Sequence, residues 1–390
     1  MGEHMLVPKG FLAGAGKGGI KYEGRLDVAV IFSEVEAYAA GAFTRNRVQA
    51  APVKVSREHI RDGRARAIVA NSGNANACTG EQGLRDALRM AEVAAEELGL
   101  RSEEVLVAST GVIGVKLPMD KVERGIKDAC RSLSSEGWEG AEQAIMTTDT
   151  KPKFAWAEVR GARILGIAKG SGMIAPDLAT MLAFLVTDAE VVPKLLGKAL
   201  RSAVGRTFNR LTVDGEASTN DTVFLLANGA SGVGFGRDEL PKFARALEEV
   251  CLELARQMAR DGEGATKLVV VRVKGARSEE EAGRAARTVA ESPLVKTAMF
   301  GKDPNWGRVL AAVGRSGVDV EEEKVSLEMG GLRVFYRGRP VEFGREEGVR
   351  ALDKDEVEIT IDLGQGDAEV VFYTCDLSYD YVRINAEYTT

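Results

Sequence analysis

Short apolar runs alternate with amphipathic stretches of helical spacing along almost the whole chain, and no repeat, low-complexity tract or linker interrupts them. Each strand-like run has to bury an apolar face against helices or a second sheet, so the alternation predicts an α/β chain with layered α+β architecture. Strands are predicted at LDVAVIF (26–32), RARAIVANSG (64–73), EVLVAST (104–110), FAWAEV (154–159), ARILGIAKG (162–170) and TKLVVVRVKG (266–275). Helices are predicted over 84–100, which runs out at Gly99, over 121–133 behind Pro118, and over 193–208, 239–262 and 278–292. The end of the chain reads as strand-rich, with VSLEMGG (325–331), LRVFYRG (332–338), VEITIDLG (357–364) and AEVVFYTCDLS (368–378). At 390 residues the chain can form one large core or two smaller ones.

Composition narrows the function by exclusion. The formal net charge is -6, and Lys and Arg are spread evenly, which argues against a nucleic-acid partner. No run approaches the ~18 apolar residues of a membrane span, and the N-terminal MGEHMLVPKGFLAGAG lacks a signal-peptide core, with Met1 or Met5 as the start. The four cysteines, Cys78, Cys130, Cys251 and Cys375, form no CxxC pair, so a reduced, cytoplasmic protein without a zinc site is expected. The chain has only two histidines, His4 near the terminus and His59 in the polar stretch SREHIRDGR. A Ser–His–Asp triad or a His-rich metal site would have to be built from these two. An enzyme of this composition is therefore expected to use a base other than imidazole.

Several Gly-rich or polar stretches sit at predicted strand ends. GAGKGG (Gly14–Gly19) fits the bare pattern GxGxxG, but no strand–helix context is evident and no Ser or Thr follows Lys17, so it reads as a loop. NSGNANACTG (Asn71–Gly80) reads either as an ordinary turn or as a site-lining loop. STGVIG (Ser109–Gly114) lets backbone N–H groups approach a ligand, as an oxyanion hole requires, or simply ends a strand. In KGSGMIAPDLATMLAFLVTDA (Lys169–Ala189) a turn-rich part is followed by Thr180, which opens an apolar run. A threonine hydroxyl needs an adjacent base to act as a nucleophile. Cleavage of the Ala179–Thr180 bond would supply one, because an α-amino group titrates near about 7.7–8.0. The plainer reading is a β-branched residue at a strand start.

This segment, together with MTTDT (146–150), NSGNANACTG, STGVIG, TVDGEASTNDT (212–222), FGKDPNWGR (300–308) and the terminal YDYVRINAEYTT, closely resembles the ornithine acetyltransferase family of arginine biosynthesis. The motifs fall in order from residue 71 to residue 390. The resemblance implies a self-cleaving fold of the ornithine acetyltransferase/DmpA-like kind, with αββα-type layers. It implies cleavage before Thr180 into an α chain of 1–179 and a β chain of 180–390, intertwined in one catalytic unit and assembled as a heterotetramer or larger. It implies a glutamate N-acetyltransferase that moves acetyl from N2-acetylornithine to glutamate through an acetyl-threonine ester, by a ping-pong route. By motif position, Thr180 is the nucleophile, and the Thr110 hydroxyl and Gly111 N–H form the oxyanion hole. Thr147, Lys169, Thr180, Glu263, Asn385 and Thr390 match substrate-contacting positions. No metal or bound cofactor is implied, and acetyl-CoA use as an additional donor is left open.

Two other readings remain at this level. An amidase or aminopeptidase on a related self-cleaving fold would pass the acyl group to water. A non-catalytic binding protein would keep the fold and a single uncut chain.

Overall fold

The computed structural model describes residues 5–175 and 181–387. Two sheets stack face to face. In the first, β1 (Phe11–Gly16), β2 (Val28–Ser33), β4 (Ala67–Asn71) and β5 (Val105–Ser109) lie in that order, with the last pair parallel. In the second the order is β3 (Tyr38–Phe43), β9 (Thr222–Ala227), β8 (Leu182–Thr187), β7 (Ala162–Lys169) and β6 (Lys153–Val159), with β8 and β9 parallel. Phe11, Ile31, Ile68 and Leu106 of the first sheet meet Leu165, Ile167, Phe184 and Phe224 of the second in one core.

Alternation along each strand sends the other side chains outward, where helices cover them. Val30, Val69 and Val107 pack under α2 (Gly80–Leu98) and α3 (Met119–Arg131), with α1 (Ala51–His59) beside them. Ala183 and Leu185 pack under α5 (Pro193–Arg206) and α6 (Leu240–Arg260). The αββα layering expected from the resemblance is thus present. Every residue of β8 and of β9 is buried, because helices lie on one side and a sheet on the other. That is why LAFLVT reads as an unbroken apolar run rather than an alternating one.

A third sheet holds the C-terminal part, in the order β13 (Arg339–Pro340), β12 (Leu332–Tyr336), β11 (Ser326–Met329), β14 (Glu356–Asp362), β10 (Leu268–Ala276) and β15 (Ala368–Cys375). Helices α7 (Glu279–Ala290), α8 (Pro293–Phe300) and α9 (Trp306–Gly314) cover one face of it. Leu268, Val270, Tyr373 and Cys375 share the core that contains α6. The short helices α4 (Trp138–Ala144), α10 (Arg345–Leu352) and α11 (Tyr379–Glu387) complete the order. The strand-rich end expected from the sequence is present as β11, β12, β14 and β15, and α11 follows it as the last described element.

The five-stranded sheet draws β3, β6 and β7 from before residue 180 and β8 and β9 from after it. Backbone hydrogen bonds thus run between the two segments at both β3–β9 and β7–β8.

The GAGKGG stretch departs from the loop reading. Its first half is the end of β1, paired to β2, and its glycines are required by packing. A Cβ on Gly14 would lie 2.2 Å from the Ala129 carbonyl oxygen, and one on Gly16 would lie 2.0 Å from that of Gly125. The strand presses directly onto α3, which only glycine permits. Its second half is pinned by Asp27, whose carboxylate accepts the N–H groups of Gly18 and Ile20, each at 2.6 Å.

One buried carboxyl makes stability depend on pH. Glu142 on α4 is only 2 % exposed. Burial, with Glu139 adding repulsion and Lys153 opposing both, pushes its carboxyl up to about 7 from 4.5. The folded chain then binds the Glu142 proton more tightly than the unfolded chain does. Stability from this group is complete below pH 4.5 and declines as pH rises to about 7. Glu142→Gln is expected to gain roughly 2–3 kcal/mol on the native protein between pH 5 and pH 8. Urea unfolding of both proteins at the two pH values measures this, and a constant difference would refute it.

Candidate active site

The two loops that leave β4 and β5 sit side by side, and their contact shapes the site. The Thr110 N–H donates to the Asn71 carbonyl, and the Ser109 hydroxyl donates to Asn71 Oδ1 at 2.6 Å. Gly111 has φ +133°, and a Cβ there would lie 2.3 Å from the Gly73 carbonyl carbon. The backbone can pass at that distance only because position 111 has no side chain. Asn220, from the polar stretch before β9, ties the same loops together by donating to the carbonyls of Ala75 at 2.6 Å and Ser109 at 2.8 Å.

These loops form one wall of a cavity that opens to solvent. Thr110, Gly111, Thr147, Lys169, Glu263 and Asn385 all line it, although they come from five separate places in the chain. Lys169 ends β7, Glu263 lies in the turn after α6, and Asn385 lies on α11. Ala179, Thr180 and Thr390 lie outside the described residues. Residues that resemblance did not single out also line the cavity, among them Ala75, Ile113, Thr148, Met173, Ser218 and Asn220.

Lys169 is buried, and its ammonium donates to the Thr110 hydroxyl at 3.3 Å. Burial lowers its pKa, and the nearby carboxylate of Asp149 works against that fall. Asp149 is itself buried. Burial alone would raise it, but the ammonium groups of Lys169 and Lys153 and the N–H of Gly170 together hold it at about 2. Across the cavity, Asn385 donates to Glu263 Oε2 at 2.8 Å. A Cβ on Gly172 would lie 2.3–2.4 Å from the Glu263 carboxyl group, so glycine leaves room for that carboxylate.

Asp214 and Asp221 shape the backbone on either side of residues 176–180. Asp214 accepts the N–H groups of Met173 at 2.6 Å and Ile174 at 2.9 Å, with Met173 at φ +54°. Asp221 Oδ1 accepts the Met181 N–H at 2.9 Å, and the Thr222 N–H donates to the Met181 carbonyl. Both carboxyls are raised, chiefly by burial. The second oxygen of Asp221 has no hydrogen-bond partner among the described residues.

The arrangement offers a cation and a hydroxyl on one wall and a carboxylate–amide pair on another. A small molecule carrying one carboxylate and one separate ammonium group matches those charges. Among the described residues no cluster of three His, Cys, Asp or Glu side chains is placed to hold a metal ion, and no helix is long and apolar enough to cross a membrane. His59 stands apart from the cavity, with Nδ1 2.8 Å from the Val105 carbonyl oxygen.

Comparison with known proteins agrees over the full length. The chain is 52% identical over 393 residues to the arginine biosynthesis bifunctional protein ArgJ of Symbiobacterium thermophilum, covering 98% of each. It is 51% identical over 392 residues to the glutamate N-acetyltransferase of Methanopyrus kandleri, covering 99% of this chain and 100% of that protein. A solved structure of the ArgJ protein of Bacillus halodurans is 41% identical, with a TM-score of 0.51, over 53% of this chain and 98% of that one. The model of the ArgJ family matches residues 12–390, and with such relatives the chain belongs to that family.

Proposed function

We propose that the chain is a glutamate N-acetyltransferase that cuts itself between Ala179 and Thr180 and uses Thr180 as its nucleophile. The new α-amino group of Thr180 takes the proton of its own hydroxyl as the oxygen attacks the amide carbonyl of N2-acetylornithine. The oxyanion that forms is held by the Thr110 hydroxyl and the Gly111 N–H. Collapse breaks the C–N bond, the α-amine of ornithine leaves with the proton, and the acetyl group remains on Thr180 as an ester. Glutamate then enters the same pocket, and its α-amine takes the acetyl group, restoring the hydroxyl. Lys169 and Thr147 hold the α-carboxylate of either substrate, and Glu263 with Asn385 faces the distal ammonium of the donor. Thr390, outside the described residues, belongs to the same proposed substrate-contacting set.

The observation that carries this reading is the convergence of Thr110, Gly111, Thr147, Lys169, Glu263 and Asn385 on one cavity beside the start of β8. Ser218 and Asn220 line the cavity, and the adjoining Asp221 holds Met181, the residue that follows Thr180. The names of the relatives supply the substrates: one is a glutamate N-acetyltransferase and others are bifunctional proteins of arginine biosynthesis. The solved relative also supports the cut. Its chain is matched over 98% of its own length but spans only 53% of this one, as one of two product chains would.

The test is a paired assay with N2-acetylornithine. With glutamate present, N-acetylglutamate and ornithine should form in equal amounts, with parallel double-reciprocal lines. Acetate released at the turnover rate in the absence of glutamate would make the protein a hydrolase instead. Replacing the donor by acetyl-CoA in the same assay decides whether the chain performs both acetylations.

A further inference from the structure

Three buried or half-buried charges lie behind the cavity and do not line it. Lys153, at the start of β6, is 1 % exposed, and its ammonium contacts Asp149 Oδ1 at 2.7 Å and Asp261 Oδ2 at 2.6 Å. It also donates to the Lys151 carbonyl at 3.1 Å. Each carboxylate in turn grips backbone that carries a cavity residue. Asp149 accepts the N–H of Thr147 at 3.0 Å and that of Gly170, next to Lys169, at 2.6 Å. Asp261 closes α6 two residues before Glu263 and accepts the N–H groups of Thr150 at 3.0 Å and Lys151 at 3.3 Å, together with the Thr150 hydroxyl. The Glu263 turn is joined to the same strand end, since its N–H donates to the Ser171 carbonyl at 2.7 Å.

We infer that the Asp149–Lys153–Asp261 triad is a positioning device that sets substrate affinity by holding the Thr147 loop, the Lys169–Gly170 strand end and the Glu263 turn in one register. The inference rests on the reading of the cavity as the site of both substrates. Three considerations support it. A buried ion pair adds little net stability, because desolvation offsets the attraction, but its directional bonds fix geometry. Each charged oxygen and the ammonium of the triad is already hydrogen-bonded within the protein, and none of the three lines the cavity. It also joins segments on both sides of residue 180: Asp149 and Lys153 precede that position and Asp261 follows it. The backbone of the loops that carry Thr110 and Gly111 is held separately, by Asn71 and Asn220, and the link from the triad's strand end is the 3.3 Å bond from Lys169 to the Thr110 hydroxyl. Loosening the triad should therefore shift binding and leave the acyl-transfer step in place.

Asp261→Asn removes one charge of the triad and one acceptor of the 147–151 loop. In steady-state kinetics on the self-processed, full-length enzyme, KM for both N2-acetylornithine and glutamate is expected to rise at least tenfold, with kcat within threefold of the native value. Cleavage into two chains should be unchanged. Should that variant be insoluble, Thr150→Val cuts only the hydroxyl bond to Asp261 and should give the same split at about threefold in KM. KM values within twofold of native, or KM unchanged with kcat reduced, would overturn the inference. The native enzyme reports on the parent reading independently: if it moves no acetyl between these substrates, the substrate assignment fails whatever the variants do.

Discussion

Thr180→Ala is expected to leave a single chain of 41.8 kDa on a denaturing gel and to remove acetyl transfer. Both losses come from one atom. The hydroxyl oxygen would attack the preceding carbonyl to cut the chain, and the same oxygen would later carry the acetyl group. Without cleavage the residue has no α-amine, so the base is lost together with the nucleophile. Removal of a nucleophile that acts as a unit with its base costs on the order of 10⁴–10⁶-fold in kcat. The variant should nevertheless fold. Residue 181 is fixed by bonds to Asp221 and Thr222, and β8 lies in the middle of the five-stranded sheet, so the local backbone does not depend on the Thr180 side chain. Thr180→Ser, which keeps the oxygen, should still give two chains and retain turnover. Two chains from Thr180→Ala, mapped by N-terminal sequencing to residue 180, would show that the oxygen is not the group that cuts.

The layered core was legible because its signals are local. The continuous apolar run LAFLVT and the periodic helices α2 and α6 each announce their own burial. What escaped depends on neighbours distant in sequence. The glycines of β1 look like loop residues until α3 is placed against them, since nothing nearby in the chain shows that the Ala129 and Gly125 carbonyls occupy the space of a side chain. Helix α11 has no buried residue, so it carries no apolar stripe to read. It is held instead by polar bonds, Asn385 to Glu263 and Tyr381 to Asp214 at 3.3 Å. The six cavity residues that resemblance named do come together, but no spacing rule links positions 110, 147, 169, 263 and 385. Lys153, Asp149 and Asp261 were invisible for a related reason. A charged residue in a sequence reads as surface, and only the fold shows that Lys153 sits between the two carboxylates.

Gly111→Ala should separate the oxyanion hole from the rest of the site. At φ +133° an alanine is strained on backbone grounds alone. Its Cβ would also fall 2.3 Å from the Gly73 carbonyl carbon and 2.5 Å from the Asn74 nitrogen, so the two loops would have to part. The Gly111 N–H would then no longer point where the proposed reaction develops negative charge, and losing one such donor costs about 10²–10³-fold in kcat. Because the proposed route would form an oxyanion at the same place when Thr180 is acylated and when glutamate takes the acetyl group, both half-reactions should slow by similar factors while KM stays near its native value. Gly114→Ala is the control, in the same loop. Its φ is +82° with no atom within 4 Å of the added Cβ, so it should cost only about 1–2 kcal/mol of stability from the left-handed backbone. It should keep nearly full turnover below its lowered Tm. Equal losses of activity in the two variants would mean that loop strain, and not the direction of the Gly111 N–H, governs the rate. A Gly111→Ala enzyme within threefold of native kcat would place the oxyanion elsewhere.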